Sequence, residues 1–507
     1  MSDRRLYNTG KSKEHQCLYI KLCRRHGYNC RFYVLLVSAF PKRLKLHNTA
    51  MKLTSSYLLA GSALLFGEAA TASEPLKIPL ASRRATVPTT HTSRLRRADA
   101  TATEVELDTW IQHNADLQWF MNITVGTPPQ PFTVLVDTGS ADLLIPASNC
   151  TNCGQHNRFD ASKSTSFQTI PGDTSIEAAF GTQGDTQPVT KVSNLTAHLV
   201  VDSVTLAGLT VPQLPFVLID FATEGLVTMP MDGILGFSPL NLTHFSETGQ
   251  GTTFFWSLVQ SGAVPSPVFA IQLNSGDEVN GGELTLGGVD NTKYEGDLSY
   301  VDFDMTILSL ALEWFIDTPA IYVGDKQVTT APGLALLDTG TAYIMTPDNA
   351  TAAALYAAIS PEIVQIDPAG AWGAPCDTLA GVKAENIQFT IGPAGQTKNL
   401  TLPAGSFNLG EYPGKPGICQ AVFVNTAPGA EIQDPEGKGR VAWTFGSPLM
   451  KGYYNVFDQT DPTKLKYGFA PIKRSSGPTS AGALVVQPLG AAMGLLGLAT
   501  IGLVVFL

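Results

Sequence analysis

Short runs of β-branched and aromatic residues, separated by Gly, Pro, Asn or Asp, dominate the chain from residue 98 to about 474. Such runs predict β-strands. The clearest strand patterns lie at 132–136, 198–201, 283–286 and 387–391. Helical patterns are few, and the best cover 254–261 and 348–359. The pattern therefore predicts an all-β protein of many short strands with few short helices.

The ends of the chain differ from this middle part. An apolar run at 53–66 follows Met51 and Lys52 and leads to the small-x-small triplet at 70–72, which is typical of a signal peptide over 51–72. Because a signal must be N-terminal to work, we interpret the basic segment 1–50 as an upstream extension of the gene model. The alternative is a cytosolic extension that turns the signal into an uncleaved anchor.

Charge is divided unevenly along the chain. The part before residue 98 holds 18 of the 33 Lys and Arg residues but only 4 of the 43 acids. Segment 73–97 ends in Leu95-Arg96-Arg97, a dibasic site, and is predicted to be a propeptide. The remainder is strongly acidic, which argues against nucleic acid or an anionic membrane surface as a partner and suits a protein that works in acid.

The C-terminal end, 475–507, predicts a membrane attachment. Residues 489–507 are apolar, uncharged and without a basic flank, whereas a spanning helix is usually followed by Lys or Arg. Three small residues beginning at Ser475 and a spacer at 478–488 precede this tail, as in signals for a glycosylphosphatidylinositol anchor. We predict attachment at Ser475, with an ordinary membrane span as the alternative.

Cysteines and glycosylation sequons agree with a secreted protein. Four cysteines follow the predicted processing site, and their proximity suggests the disulfides Cys150–Cys153 and Cys376–Cys419. No second ligand pair accompanies Cys150-x-x-Cys153, so no metal site is expected. Six Asn-x-Thr sequons are candidate glycosylation sites: Asn122, Asn149, Asn194, Asn241, Asn349 and Asn399.

One long-range repeat organises the body of the chain. The sequence Val-Asp-Thr-Gly-Ser-Ala at 136–141 recurs as Leu-Asp-Thr-Gly-Thr-Ala at 337–342. Each copy follows apolar residues, and an apolar-Gly element follows each about a hundred residues later, at 232–236 and 443–446. Two copies with matched surroundings predict two similar lobes, 98–297 and 298–474.

The repeat carries a pair of carboxylates, Asp137 and Asp338. A carboxylate at the end of an apolar strand is costly unless it is hydrogen-bonded or functional. The following residues are expected to support the two loops, with hydroxyls that hold a loop or donate to a carboxylate and glycines that allow close approach. They are Thr138, Gly139 and Ser140 in the first copy and Thr339, Gly340 and Thr341 in the second. If the lobes face each other, the two carboxyls share one proton. The alternative is ordinary turn chemistry, in which each Asp only caps a turn.

Several separated motifs in the same order make the chain resemble the pepsin-like aspartic proteases of the two-lobed eukaryotic type. Its layout is most similar to the glycolipid-anchored, yapsin-like fungal members. The motifs that carry the resemblance are the two Asp-Thr-Gly loops and the segments 119–130, 232–236, 453–458 and 467–471. The resemblance implies a deep cleft between two β lobes, no cofactor, catalytic Asp137 and Asp338, and an extended peptide substrate beneath a hairpin flap.

Three positions depart from the family pattern. Phe180, followed by Gly181, stands in the flap where the family has Tyr, and Leu144 stands where a Trp is usual. Because the family's Tyr and Trp normally meet, the resemblance implies that Phe180 packs against Leu144. Residues 444–446 replace the usual aliphatic pair before Gly, which affects packing only. We expect a working enzyme with a more mobile flap, secreted to the cell surface or beyond as a monomer. The rival hypothesis is a weak or inactive protease fold that only binds peptides.

Overall fold

The computed structural model describes the body of the chain almost continuously. The described residues are 16–23, 30–37, 76–82, 111–112, 115–116 and 118–473, except 173, 182–191, 224–229, 240–242, 244–251, 275–280, 312, 319, 330–332, 426–430 and 434–438. The predicted signal peptide, dibasic site and anchor signal lie outside these residues. Within them, no helix is both long enough and apolar enough to cross a membrane.

Two compact units make up the chain, Met1–Ala70 and Thr71–Leu507. In the first unit, β1 (Gln16–Cys23) and β2 (Cys30–Val37) form an antiparallel hairpin. All other described elements belong to the second unit.

Strands predominate in the second unit, as the sequence pattern predicts. All four predicted strands and both predicted helices form. The helices of the described residues are short: α1 Phe254–Gln260, α2 Met305–Ala311, α3 Asn349–Ile359, α4 Cys376–Ala380 and α5 Ser447–Met450. Helix α3 begins where predicted because the Asp348 side chain accepts a hydrogen bond from the Thr351 N–H at 2.7 Å.

The first half of the chain folds into a twisted sheet that ends in a hairpin. Its strands are β3 Leu76–Ser82, β4 Ile111–Gln112, β5 Ala115–Asp116, β6 Trp119–Val125, β7 Gln130–Asp137, β8 Leu143–Thr151, β9 Gln168–Thr169, β10 Ser175–Gly181, β11 Val192–Leu206, β12 Leu209–Ala222 and β13 Gly233–Gly236. The order from the edge inward is β10-β11-β12-β8-β13-β7-β6, with β9 paired to β11. Strands β4 and β5 form a separate two-stranded hairpin.

The second half supplies more strands and three further sheets. Its strands are β14 Val268–Leu273, β15 Gly282–Leu286, β16 Ser299–Asp302, β17 Phe315–Thr318, β18 Ala320–Val323, β19 Lys326–Gln327, β20 Gly333–Leu337, β21 Ile344–Thr346, β22 Val364–Asp367, β23 Ala371–Pro375, β24 Ile387–Ile391, β25 Lys398–Thr401, β26 Asn408–Glu411, β27 Ile418–Ala421, β28 Phe423–Asn425, β29 Glu431–Gln433, β30 Gly439–Phe445, β31 Tyr453–Asp458 and β32 Lys466–Pro471. One sheet has the order β17-β20-β30-β21-β28, with β29 on β30, and the other two are β19-β18-β24-β25 and β22-β23-β27-β26.

A continuous run of strands joins the two halves, in the order β6-β3-β15-β14-β31-β32-β16. Strand β3 lies in the predicted propeptide, 73–97, and is part of the shared sheet. It pairs with β15 over five residues and with β6 over two, and Lys77 forms a 2.8 Å ion pair with Asp290. The predicted lobe boundary at 297/298 falls inside this shared sheet, which both halves build.

The sequence repeat corresponds to a repeated topology. In the first lobe β7 runs parallel to β13, and β13 is antiparallel to β8. In the second lobe β20 runs parallel to β30, and β30 is antiparallel to β21. The apolar-Gly elements are thus the partner strands of the two strands that lead to Asp137 and Asp338.

Aromatic side chains fill the region between the lobes. Phe269 stacks on Phe457 with 4.8 Å between ring centroids, and Phe237 and Trp314 contact Phe269 at 5.3 and 6.0 Å. The buried Trp314 Nε1–H donates to the Phe237 carbonyl oxygen at 2.7 Å. Large buried aromatic surfaces with a satisfied indole N–H hold the lobes at a fixed relative position.

Candidate active site

Asp137 is the last residue of β7, and Asp338 directly follows β20. Both side chains are largely buried, with 8% and 7% of the residue surface exposed. Their backbones are anchored to the partner strands, because the Phe237 N–H donates to the Asp137 carbonyl at 2.8 Å and the Asp338 N–H donates to the Phe445 carbonyl at 3.1 Å. Each carboxylate therefore sits on a rigid strand end.

Threonines cross-link the two loops reciprocally. The Thr138 N–H donates to Thr339 Oγ1 at 3.1 Å, and the Thr339 N–H donates to Thr138 Oγ1 at 3.0 Å. Each hydroxyl in turn donates to the opposite strand, Thr138 to the Leu337 carbonyl and Thr339 to the Val136 carbonyl, both at 2.7 Å. These four buried bonds fix the loops relative to each other, because breaking one would leave buried polar groups unsatisfied.

The two carboxyls lie against the opposite loop's glycine. A Cβ atom built on Gly139 would lie 2.5 Å from Asp338 Cγ, and one on Gly340 would lie 2.5 Å from Asp137 Oδ1. Any side chain at either glycine would displace a carboxylate, so Gly is required for this approach. The sequence expectation that these glycines allow close contact agrees with the geometry.

Hydrogen bonds orient each carboxylate from within its own loop. The Gly139 N–H donates to Asp137 Oδ1 at 2.9 Å, and the Gly340 N–H donates to Asp338 Oδ1 at 2.8 Å. Thr341 Oγ1 donates a short hydrogen bond to Asp338 Oδ2. The buried Ser140 hydroxyl lies beside Asp137 but falls short of normal hydrogen-bond geometry, so Ser140 and Thr341 are not equivalent as the sequence suggested.

Burial raises the pKa of Asp137 well above its ordinary value, because an ionised carboxylate is poorly solvated there. The negative charge of Asp338 and a hydrogen bond with it raise this pKa further, while Ser140 and the Gly139 N–H act in the opposite direction. The Asp137 proton is therefore retained at acid pH. Two carboxyls that share one proton can act together as an acid and a base.

A hairpin of β10 and β11 stands at the edge of the first sheet, where the sequence predicts the flap. Phe180 pairs with Ser193 and Gly181 with Val192 near its end, and the connecting loop lies outside the described residues. The Phe180 side chain is also outside them, so its predicted contact with Leu144 stays a prediction. Leu144 itself is buried in an apolar cluster against which Ile176 and Ala178 of β10 pack.

Sequence reasoning missed a residue that positions β7. The Asp232 carboxylate accepts hydrogen bonds from the Thr133 N–H and hydroxyl at 2.8 and 3.0 Å. It also accepts from the Asn157 N–H and side-chain amide at 2.8 and 3.0 Å. Its signal in the sequence is the acid that opens the apolar-Gly element at 232–236, a charged residue directly before an apolar strand.

The remaining predicted residues lie away from the two aspartates. The structure joins Cys150 to Cys153 and Cys376 to Cys419, the two pairings that proximity suggested. Of the six sequon asparagines, Asn241 lies outside the described residues. The other five are exposed: Asn122, Asn149, Asn194, Asn349 and Asn399. Among the described residues, no group of three or more His, Cys, Asp and Glu side chains is arranged to hold a metal ion.

Comparisons with known proteins agree with this geometry. A family model described as eukaryotic aspartyl protease matches residues 118–472. Cathepsin E of Aquarana catesbeiana is 29% identical over 364 residues, which cover 70% of this chain and 80% of the relative. Pepsin A of Suncus murinus is 29% identical over 70% of this chain and 81% of its own length, and an aspartic protease of Phaffia rhodozyma is 28% identical over 72% and 79%.

Proposed function

The chain belongs to the eukaryotic aspartyl protease family, and we propose that Asp137 and Asp338 are the catalytic pair with which it hydrolyses peptide bonds at acid pH. The observation that carries the assignment is the reciprocal threonine cross-link, which brings two buried carboxyls from different lobes into one site.

The reaction follows from the shared proton. The unprotonated carboxyl takes a proton from a water molecule as the water attacks the scissile carbonyl carbon, and the protonated carboxyl donates to the carbonyl oxygen. A tetrahedral intermediate forms without a covalent bond to the enzyme. Collapse transfers a proton to the leaving amine and returns the pair to its starting state.

The rigid support of the carboxyls suits this chemistry. Asp338 has two donors in its own loop, the Gly340 N–H and the Thr341 hydroxyl, whereas the buried Asp137 has a raised pKa. The raised pKa of Asp137 therefore keeps one proton on the pair in acid, and this proton serves the general-acid step. Activity should fall as the pH rises through the raised pKa of Asp137, because the pair then loses its proton.

Cleavage of a denatured protein at acid pH tests the proposal. A statine-type inhibitor mimics the tetrahedral intermediate and should abolish cleavage by competing with the substrate. A peptide-binding protein without catalysis would bind the inhibitor and leave the protein substrate intact, which would favour the rival hypothesis.

The location of the enzyme is a second part of the proposal. We assign residues 51–72 as the signal peptide, cleavage after Arg97 as the maturation step and 475–507 as the signal for a glycolipid anchor at the cell surface. N-terminal sequencing should give a start near Ala98, and phosphatidylinositol-specific phospholipase should release the protein from membranes. A purified species that still contains 489–507 would instead mean a membrane span.

A further inference from the structure

Phe221 on β12 is an exposed aromatic residue with an unusual position. It is 37% exposed, one of three large hydrophobic residues of the described chain that are this accessible. A single exposed apolar side chain is ordinary on a protein surface and needs no explanation. Its neighbours on the adjacent strands, however, belong to two glycosylation sequons.

The strand register places Phe221 between two sequon threonines. It is opposite Thr196 on the antiparallel strand β11 and opposite Thr151 on the parallel strand β8. Thr196 completes the sequon of Asn194, and Thr151 completes the sequon of Asn149.

Asn194 and Phe221 lie on the same outer face of the sheet. Leu195 and Ala222, which pair with each other between them, are both buried on the inner face. The Asn194 N–H donates to Thr223 Oγ1 at 2.8 Å, and the Thr223 N–H donates to the Asn194 carbonyl at 2.9 Å. Asn194 and Phe221 are thus diagonal neighbours, which in a regular antiparallel pair are about 7–8 Å apart with their Cβ atoms somewhat closer.

Asn149 is less well placed. The pairing of β8 with β12 is irregular between Pro146 and Thr151, so no regular register directs Asn149 toward Phe221. On β11 the register is regular from Leu195 to Thr196. The geometry therefore favours Asn194 as the partner of the exposed ring.

We propose that Asn194 carries an N-linked glycan whose first N-acetylglucosamine packs its C–H face on the Phe221 ring. A sugar ring joined to the Asn side-chain amide spans the diagonal gap and covers the exposed part of the Phe221 ring. The proposal rests on the secretory route assigned above and not on the catalytic assignment.

The position gives the glycan a mechanical role. Strand β11 is the return strand of the flap hairpin, and β12 is held in the first sheet by β8. A sugar that bridges β11 and β12 opposes separation of the flap from the sheet. It lies on the outer face, so it restrains the hairpin without entering the cleft.

Glycopeptide mapping and hydrogen exchange test the proposal on the secreted protein at neutral pH. We expect a glycan on Asn194. Asn194→Gln should accelerate amide exchange in 192–206 by about 2- to 10-fold, the factor that an aromatic contact contributes. Phe221→Thr should have the same effect, and the double variant should show no more than either single change. Asn349→Gln, on helix α3, is the control and should leave this segment unchanged.

Trimming the glycan separates the first sugar from the rest without any mutation. Endoglycosidase H leaves one N-acetylglucosamine on Asn194 and should preserve the slow exchange. Complete removal by an amidase, which hydrolyses the side-chain amide and leaves Asp at position 194, should abolish it, as Asn194→Gln does without adding a charge. An unglycosylated Asn194 beside an occupied Asn349 or Asn399 would overturn the proposal, as would additive effects of the two single variants. If no sequon were occupied, the secretory route would fail with it, although acid proteolysis would be unaffected.

Discussion

Replacement of Asp137 by Asn should make stability depend differently on pH, because Asn has no charge to bury. The raised pKa of Asp137 means that the folded protein holds this proton more tightly than the unfolded chain does. The stability that the folded protein gains from binding this proton is complete below about pH 3.9, the pKa of Asp in the unfolded chain. It is lost as the pH rises toward the pKa of Asp137 in the folded protein. Across that window the free energy of unfolding should fall by about 1.4 kcal/mol per pH unit, relative to the Asn variant.

An inactive background avoids self-digestion in this experiment. We would compare Asp338→Asn with the double variant Asp137→Asn/Asp338→Asn. Burial is the largest cause of the shift and remains when Asp338 loses its charge. The difference in the free energy of unfolding between these two proteins should therefore still grow as the pH rises from about 4, and it should level off above the pKa of Asp137 in the folded protein. The pH window should be narrower than with Asp338 present, because the charge of Asp338 no longer raises that pKa.

Urea unfolding monitored by tryptophan fluorescence between pH 3.5 and 7 measures this difference. Asp325→Asn in the same background is the matched control, since Asp325 is exposed in the turn between β18 and β19. A gap between the two Asp338→Asn proteins that stays constant across this pH range would refute the argument, because it would mean that Asp137 ionises in the folded protein as it does in the unfolded chain.

Two further predictions concern the flap and the cross-link. Phe180→Tyr alone should raise kcat/KM little. Together with Leu144→Trp it should raise kcat/KM more than the two single changes combined, and strictly additive effects would mean that the two positions are not energetically coupled. Thr138→Val keeps the side-chain volume but strands the Thr339 N–H and the Leu337 carbonyl, so it should lower the free energy of unfolding by about 2 to 4 kcal/mol in urea titrations, with a fall in kcat.

The approach of Asp137 and Asp338 could be predicted from the sequence because the information is local and occurs twice. Each Asp follows an apolar strand and precedes a Thr-Gly pair, and each strand has an apolar-Gly partner at a similar distance. The pairing of β7 with β13 and of β20 with β30 then brings the repeated loops to equivalent places. No composition or charge argument alone would have located them.

Other features depended on geometry that one sequence does not carry. Ser140 and Thr341 occupy matching positions and have the same chemistry, yet only the Thr341 hydroxyl donates a hydrogen bond to its carboxylate, while the Ser140 hydroxyl falls short of normal hydrogen-bond geometry. The crossed bonds of Thr138 and Thr339 require the lobes to approach within 3.1 Å at that point. A side chain's hydrogen-bonding capacity follows from its type, but its partner follows from packing.

The predicted propeptide shows a different limit. Segment 73–97 is rich in basic residues and has a dibasic end, which indicate proteolytic processing. It also contains Leu76, Ile78 and Leu80 in alternation with other residues, which is the period-two pattern of a strand. That strand became β3, which pairs on both sides in the shared sheet. The dibasic end predicts where the segment is cleaved, whereas the spacing of its apolar residues predicts that it forms a strand.

The most direct test of the account is the rate of peptide hydrolysis by three purified proteins: the wild type, Asp137→Asn and Asp338→Asn. Each would be assayed for kcat/KM on one peptide between pH 3 and 7, with circular dichroism to show that it is folded. We predict that the wild type is active only in acid, and that either substitution lowers kcat/KM by about 10³-fold or more, because acid and base catalysis are lost together. A folded variant of either kind that cleaves at the wild-type rate would contradict the assignment of the pair.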